Sequence, residues 1–380
     1  MNTQPTLAQE STIADWIRIA RAEIAPRKLR PLLEAYEFSA AALLKATSGQ
    51  WSSHAPRMIE TEKLRLSQSA RDSVDDAMRI IEKQGVSAVP INHPDYPANL
   101  REIDDASPVL FVRGTLKADD RFSIAVVGSR RATAYGLSIA ERFSRDLAAR
   151  GLCIVSGGAR GIDTFSHRGA LKGGGRTVVF LGCGIGTSYP PENRHLFDEV
   201  VSSGQGAIVS EYVPGVEPSP WRFPARNRLI SGMTMGTFVI ESPIDSGAMI
   251  TASDAASQGR DVFAVPGPIE TGRSAGCHRL IQEGAKLVET PDDILKELGF
   301  FQMGESLARQ PSLPGFNAPP EDLDTDQRLI LDRLTLQPQS VDALLAGIDL
   351  SAAQVSAVLT ILEMRGLTRR LPGNAFVRVL

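Results

Sequence analysis

The sequence predicts a Rossmann-like, doubly wound and mostly parallel α/β sheet, with a small helical domain before it and a winged-helix domain after it. Three observations carry this reading. Apolar runs at 123–127, 152–155, 176–181, 207–210, 237–241, 261–265 and 286–288 alternate with segments of helical periodicity. Parallel neighbours need crossover connections, and right-handed crossovers cover both faces of the sheet with helices. Residues 12–82 lack such runs and show helical spacing, and residues 324–380 show three helical patterns followed by a hairpin.

The polar stretch 1–11 reads as a disordered tail. In "TIADWIRIARA", Ile13, Trp16, Ile17 and Ala20 recur at helical spacing, and "LRPLLEAYEFSAAALLKA" continues it. The region 12–82 is read as a helical domain of SAM/helix-hairpin-helix type. Its connection "AEIAPRK" has none of the glycines that a helix-hairpin-helix uses to expose amides to a phosphate, so it reads as a packing module. The central domain is placed at 83–300. There "GVSAVPI" and "PVLFVRG" are expected strands, and the helix after 123–127 sets Ala140, Phe143 and Leu147 on one side before Gly151. Residues 301–323, with four prolines and no periodicity, read as a linker. Beyond it, "DQRLILDRL", "SVDALLAG" and "SAAQVSAVLTILEMRG" are expected helices. The third opens on a Ser351…Gln354 capping box and aligns Val355, Val358, Leu359 and Leu362, and "LTRRLPGNAFVRVL" turns at Pro372-Gly373-Asn374.

Composition bounds the function. The chain has 380 residues, 42% hydrophobic and 22% charged, with a net charge of −3, so any polyanion site must be a local concentration of cations. Cys153, Cys183 and Cys277 are far apart in sequence, which suggests a reduced cytoplasmic protein without disulfide frame or zinc spacing. No signal-peptide segment and no run of membrane-spanning length is seen.

In an open α/β sheet, ligands sit beyond the carboxyl ends of the strands. The first such loop, in "AVVGSRRATAYG" (125–136), breaks the dinucleotide fingerprint: Gly128 is followed by Ser129, Arg130 and Arg131 rather than by further glycines. The second, "SGGARGID", offers Gly157, Gly158 and Gly161 for close backbone approach and a helix N-terminus for an anion, with Arg160 adding charge. "WRFPARNRLISG" (221–232) interleaves Arg222, Arg226 and Arg228 with Trp221 and Phe223. Arginine beside aromatics suits single-stranded nucleic acid, because phosphates need charge and unstacked bases need a flat apolar partner. Together these loops predict a rim of six arginines that binds a chain of phosphates rather than a pyrophosphate. Asp163 reads as a helix-dipole partner, His167 and His195 as packing or surface residues, and Glu241 and Asp245 as the best candidates for a hydrolytic carboxylate.

The motifs "VVGSRRATAYG", "IVSGGARGIDTFSHRGAL", "YPPEN", "FPARNRLISG", "SGAMITASDAASQGRDVFAVPG" and "LIQEGA", in this order across residues 95–290, resemble the DprA/Smf family of DNA-processing proteins. The resemblance implies a Rossmann-like domain that binds single-stranded DNA, dimerises, guards incoming strands and loads RecA during natural transformation. It implies no catalysis and no cofactor. It places Gly128, Ser129, Arg130, Phe223 and Arg226 in the DNA pocket, and the helical and winged-helix domains are familiar companions of that family. Some relatives carry a lysine shortly before the pocket aromatic; here "PSPWRFPARN" leaves Arg222 or no residue for that charge. The winged helix holds eight acids against six arginines over 321–380, and its third helix has no cation before Arg365. That argues against independent reading of a DNA duplex and for a protein-contact or regulatory role. The dimer contact is expected near the sheet end at 277–298. Two other functions compete. A nucleotide phosphoribohydrolase would carry paired glycines and a glutamate that "DSGAMITASD" lacks, and an NAD enzyme would carry the missing glycines of the first loop.

Overall fold

The computed structural model describes residues 11–300, 323–334, 339–345, 350–364, 367–371 and 375–378, and divides into the units Met1–Phe301 and Gln302–Leu380. The expected tail apart from Ser11, the linker apart from Leu323, and the turn Pro372-Gly373-Asn374 lie outside the described residues.

The first unit begins with six helices: α1 (Ile13–Arg21), α2 (Pro26–Ala35), α3 (Ala40–Lys45), α4 (Ser48–His54), α5 (Glu60–Ser69) and α6 (Asp75–Gln84). Capping follows from sequence. Thr12 and Asp15 form a reciprocal box that starts α1, and Pro26 opens α2 where its missing N–H has no role to fill. The apolar faces converge on Ile17, Leu32, Leu33, Trp51 and Leu66. The same cluster continues through Phe111, Val179, Leu181 and Ile208 of the sheet, so the helices cover one sheet face.

The sheet has nine strands: β1 (Val86–Pro90), β2 (Val109–Gly114), β3 (Ser123–Gly128), β4 (Cys153–Ser156), β5 (Thr177–Phe180), β6 (Gly206–Ser210), β7 (Gly236–Ile240), β8 (Asp261–Ala264) and β9 (Lys286–Leu287). Their order is β1-β2-β6-β5-β4-β3-β7-β8-β9. The β1–β2 and β2–β6 pairs are antiparallel, and every pair from β6 to β9 is parallel. Crossover helices α8 (Ala134–Ala149), α9 (Ile162–Lys172), α10 (Arg194–Ser202), α11 (Arg222–Met233), α12 (Gly247–Ser257) and α13 (Ala275–Gln282) cover both faces; the short α7 (Ala98–Arg101) precedes β2 and α14 (Pro291–Glu297) follows β9. From β3 the order runs outward one way through β4–β6 and the other way through β7–β9. The switch point lies between β3 and β7, where neighbouring loops diverge and leave a crevice.

The second unit contains α15 (Thr325–Arg333), α16 (Val341–Leu345) and α17 (Ala352–Met364), with an antiparallel sheet ordered β10 (Gln339–Ser340), β12 (Ala375–Arg378), β11 (Thr368–Leu371). Val355, Val358, Leu359 and Leu362 of α17 are buried together with Ile330, Leu344 and Phe376. Ser351 and Gln354 form the expected capping bonds, with the Gln354 amide donating to Ser351 Oγ at 3.3 Å. Three helices and a wing-like sheet make a winged helix.

Candidate nucleic-acid interface

At the carboxyl end of β3 the chain turns through Gly128-Ser129-Arg130-Arg131, directly at the switch point. Glu241, the residue after β7, holds this turn. Its carbonyl accepts from the Ser129 amide at 2.9 Å, and its carboxylate accepts from the Thr133 amide at 2.9 Å and the Thr133 hydroxyl at 2.5 Å. It is 4% exposed and sits at φ +47, so tertiary bonds hold it in a conformation that non-glycine residues avoid. The sequence reading offered Glu241 as a hydrolytic carboxylate. The fold instead commits both oxygens to a loop, and Asp245 is exposed on the approach to α12.

The "SGGARGID" loop also differs from its expectation. The Asp163 carboxylate accepts from the amides of Gly157 and Ala159, both at 3.2 Å, so these two loop N–H groups are taken within the protein. Gly161, at φ +76, lies against the neighbouring turn: a Cβ there would sit 2.3 Å from the Ser129 carbonyl oxygen. The glycines let one loop buttress the other, backbone to backbone, and the Ile162 amide donates to Ser129 O at 3.3 Å. Asp163 is buried, which pushes its pKa up, with the Arg226 charge opposing.

Arg226 is 3% exposed and donates to the carbonyls of Gly157 and Phe180, tying α11 to the ends of β4 and β5. Its pKa is lowered to about 10, by burial above all, with Asp163 opposing and Arg130 adding to the fall, so it stays a cation at neutral pH. Arg226 also leaves no room at Gly157, where a Cβ would meet its guanidinium nitrogen at 2.6 Å. Beside it, the Phe223 ring packs on Gly182 and lies 5.2 Å from the Tyr189 ring, and the exposed Arg130 guanidinium sits over Phe223 at 5.5 Å.

These groups enclose a pocket of about 520 Å³ lined by Gly128, Ser129, Arg130, Arg131, Phe223 and Arg226, with Tyr189, Asn227 and the start of α12 completing the wall. Gly157 and Arg160 belong to a small adjoining recess that shares Arg130, Tyr189, Phe223 and Arg226; Arg160 is paired with Glu192 there. Arg222 and Arg228 are not brought to the pocket, and the expected rim of six is reduced to four. Arg222 donates to Glu23 of the N-terminal helices at 2.8 Å and lies over the Trp221 and Tyr212 rings. Arg228 is held by Glu211 at 2.6 Å and Asp105 at 3.2 Å. Helix geometry accounts for Arg228: two residues beyond Arg226 on α11 is a turn of about 200° to the other face. Tyr189 is a pocket residue the sequence reading missed, although its position in the loop after β5, ahead of "PPEN", was the available signal. His167 is buried against Thr177 at 2.7 Å, a packing residue as expected.

Residues 87–299 match the family model of the DNA recombination-mediator protein A, and residues 314–374 match the DprA winged helix domain. The chain is 35% identical over 315 residues to Protein Smf of Synechocystis, covering 75% of this chain and 78% of that one. It is 43% identical over 227 residues to the DNA processing protein DprA of Streptococcus pneumoniae, covering 60% of this chain and 79% of that protein. The solved structure of that pneumococcal protein superimposes with a TM-score of 0.65 at 36% identity, covering 76% of this chain and 99% of the other. DNA processing protein A of Helicobacter pylori, whose structure addresses its single-stranded DNA binding mode, gives a TM-score of 0.51 at 27% identity over 57% of this chain and 96% of the other. The family model spans more than half of the chain, and the chain belongs to the DprA/Smf family of DNA recombination-mediator proteins.

Proposed function

We propose that this chain binds single-stranded DNA in the switch-point pocket and, as a cytoplasmic homodimer, protects incoming strands and loads RecA onto them, without catalysis or cofactor. The observation that carries the reading is Arg130 over the Phe223 ring, with Tyr189 alongside and Arg131 on the same rim. Cations and aromatic rings lie side by side there, the combination that suits a phosphate backbone with unstacked bases. The site residues of this reading are Gly128, Ser129, Arg130, Arg131, Phe223 and Arg226, with Gly157 and Arg160 in the recess beside them. Arg222 and Arg228 act at a distance, as clamps on α11. Protection of strands, RecA loading and dimerisation rest on family membership. The hydrolase alternative loses its best acid, since Glu241 is bonded within the loop it would have to leave.

The test is fluorescence anisotropy of a labelled dT oligonucleotide across a salt series, with a duplex control. Preference for the single strand is expected, with a log–log salt slope of about −0.7 per contacted phosphate. Arg130→Ala weakens binding and flattens the slope by about 0.7. Equal affinity for duplex and single strand, or an unchanged slope in the variant, overturns the reading.

A further inference from the structure

We infer that the bound strand leaves the pocket across Tyr189 and continues into a second, cationic groove formed by Lys83, Arg113 and Arg194, so that the N-terminal helical region contributes directly to the nucleic-acid path. This rests on the single-strand reading of the pocket. Two grooves open beside that pocket. One lies past Pro220 and Trp221, and its charged lining is Glu23, Asp105 and Glu211 against Arg27 and Arg228. Arg228 is already held by two of those acids, so that groove repels phosphates. The other lies past Tyr189: residues 188–191 form a ridge, with Tyr189 facing the pocket and Ser188 and Pro191 lining a groove of about 790 Å³ on the far side.

The charge balance of this second groove is reversed. Lys83, Arg113 and Arg194 face one acid, Asp198, which is paired with Arg113 at 2.8 Å. Lys83 and Arg194 are exposed and have no carboxylate partner among the described residues. Their placement is built into the fold. Lys83 lies in the last turn of α6, which docks through Ile80 against Gly186 and Gly215, and Arg194 opens α10 just after the ridge. On a chain of net charge −3, two unneutralised cations in a groove across the 188–191 ridge from an arginine-rich pocket have no structural partner to explain them. Leu181, Ile185 and Phe197 line the same groove and give it apolar wall beside the cations.

The experiment compares dT oligonucleotides of about 6 and about 20 nucleotides, lengths that bracket single-site and extended binding. The full-length wild type is set against the double variant Lys83→Ala/Arg194→Ala and the single variant Arg27→Ala. Both groove cations are exposed, and unchanged thermal melts will show that the variant folds. Wild type should bind the longer strand more tightly. The double variant should lose several-fold affinity and about 1.4 of salt slope on that strand alone, at roughly 0.7 per phosphate. Arg27→Ala should change neither. Full affinity of the double variant for the long strand, or a loss confined to Arg27→Ala, overturns the inference and leaves the pocket reading intact. Failure of wild type to bind either strand overturns both.

Discussion

Replacing Phe223 by alanine separates stacking from charge in the pocket. The ring is half-buried, packs on Gly182, pairs with Tyr189 at 5.2 Å and carries Arg130 at 5.5 Å. Losing the aromatic pair costs about 0.5–1.5 kcal/mol and losing the exposed cation–π contact about 0.5–1 kcal/mol. With the lost burial of a half-buried ring, about 1 kcal/mol, the sum is about 2–3.5 kcal/mol, less than the roughly 5–15 kcal/mol that keeps a domain folded, so the variant remains native at 25 °C. Base stacking on an aromatic is worth about 1–3 kcal/mol, or about 5- to 150-fold in Kd. Phe223→Ala should therefore weaken dT binding within that range, and Phe223→Leu, which keeps apolar area but no π-face, should fall between. The salt slope decides the mechanism. Phe223 carries no charge, so the slope of both variants should equal that of wild type. The assay is anisotropy across a salt series, beside a thermal melt of each variant. Undiminished affinity would refute the stacking role. A slope reduced by about 0.7 would refute it differently, showing that the ring serves only to place Arg130.

Gly161→Ala should destabilise the first unit by about 2–4 kcal/mol, because it combines a positive-φ penalty with a clash against the Ser129 carbonyl. A Tm lowered by several degrees, with weakened single-strand binding through displacement of the adjacent arginine turn, would confirm this; an unchanged melt would contradict it. Asp254 is half-buried, and burial together with the nearby Asp105 raises its pKa from 3.8 to about 6. The fold thus prefers the protonated acid: its contribution is complete below about pH 4 and is lost as pH rises through about 6. Asp254→Asn should make the protein more stable than wild type at pH 7–8 by about 1 kcal/mol, a value reduced for solvent screening. Denaturant melts across pH should show that gap closing below about pH 4, and a gap constant with pH would rule out the carboxylate as its source.

The seven apolar runs lie on β3 to β9, and β3 to β7 are buried on both faces, which gives a strand a continuous apolar signature that the chain carries locally. The Ser351–Gln354 cap and the apolar stripe of α17 were legible for the same reason, since each depends on residues three or four apart. The arginine turn and Phe223 were also readable, because topology puts the ends of parallel strands on one side of the sheet. Side-chain direction was not. Arg226 and Arg228 are neighbours in a motif, yet one points to the pocket wall and the other to Glu211 and Asp105, acids that come from distant segments. Gly157 and Gly161 have the composition of an anion loop but serve an internal carboxylate and a neighbouring backbone. Glu241 has the position of a catalytic acid and serves a turn 108 residues away. Periodicity and capping are properties of adjacent residues, so they survive in a linear string. Which partner neutralises a charge or fills the space beside a glycine depends on residues the chain brings together only on folding.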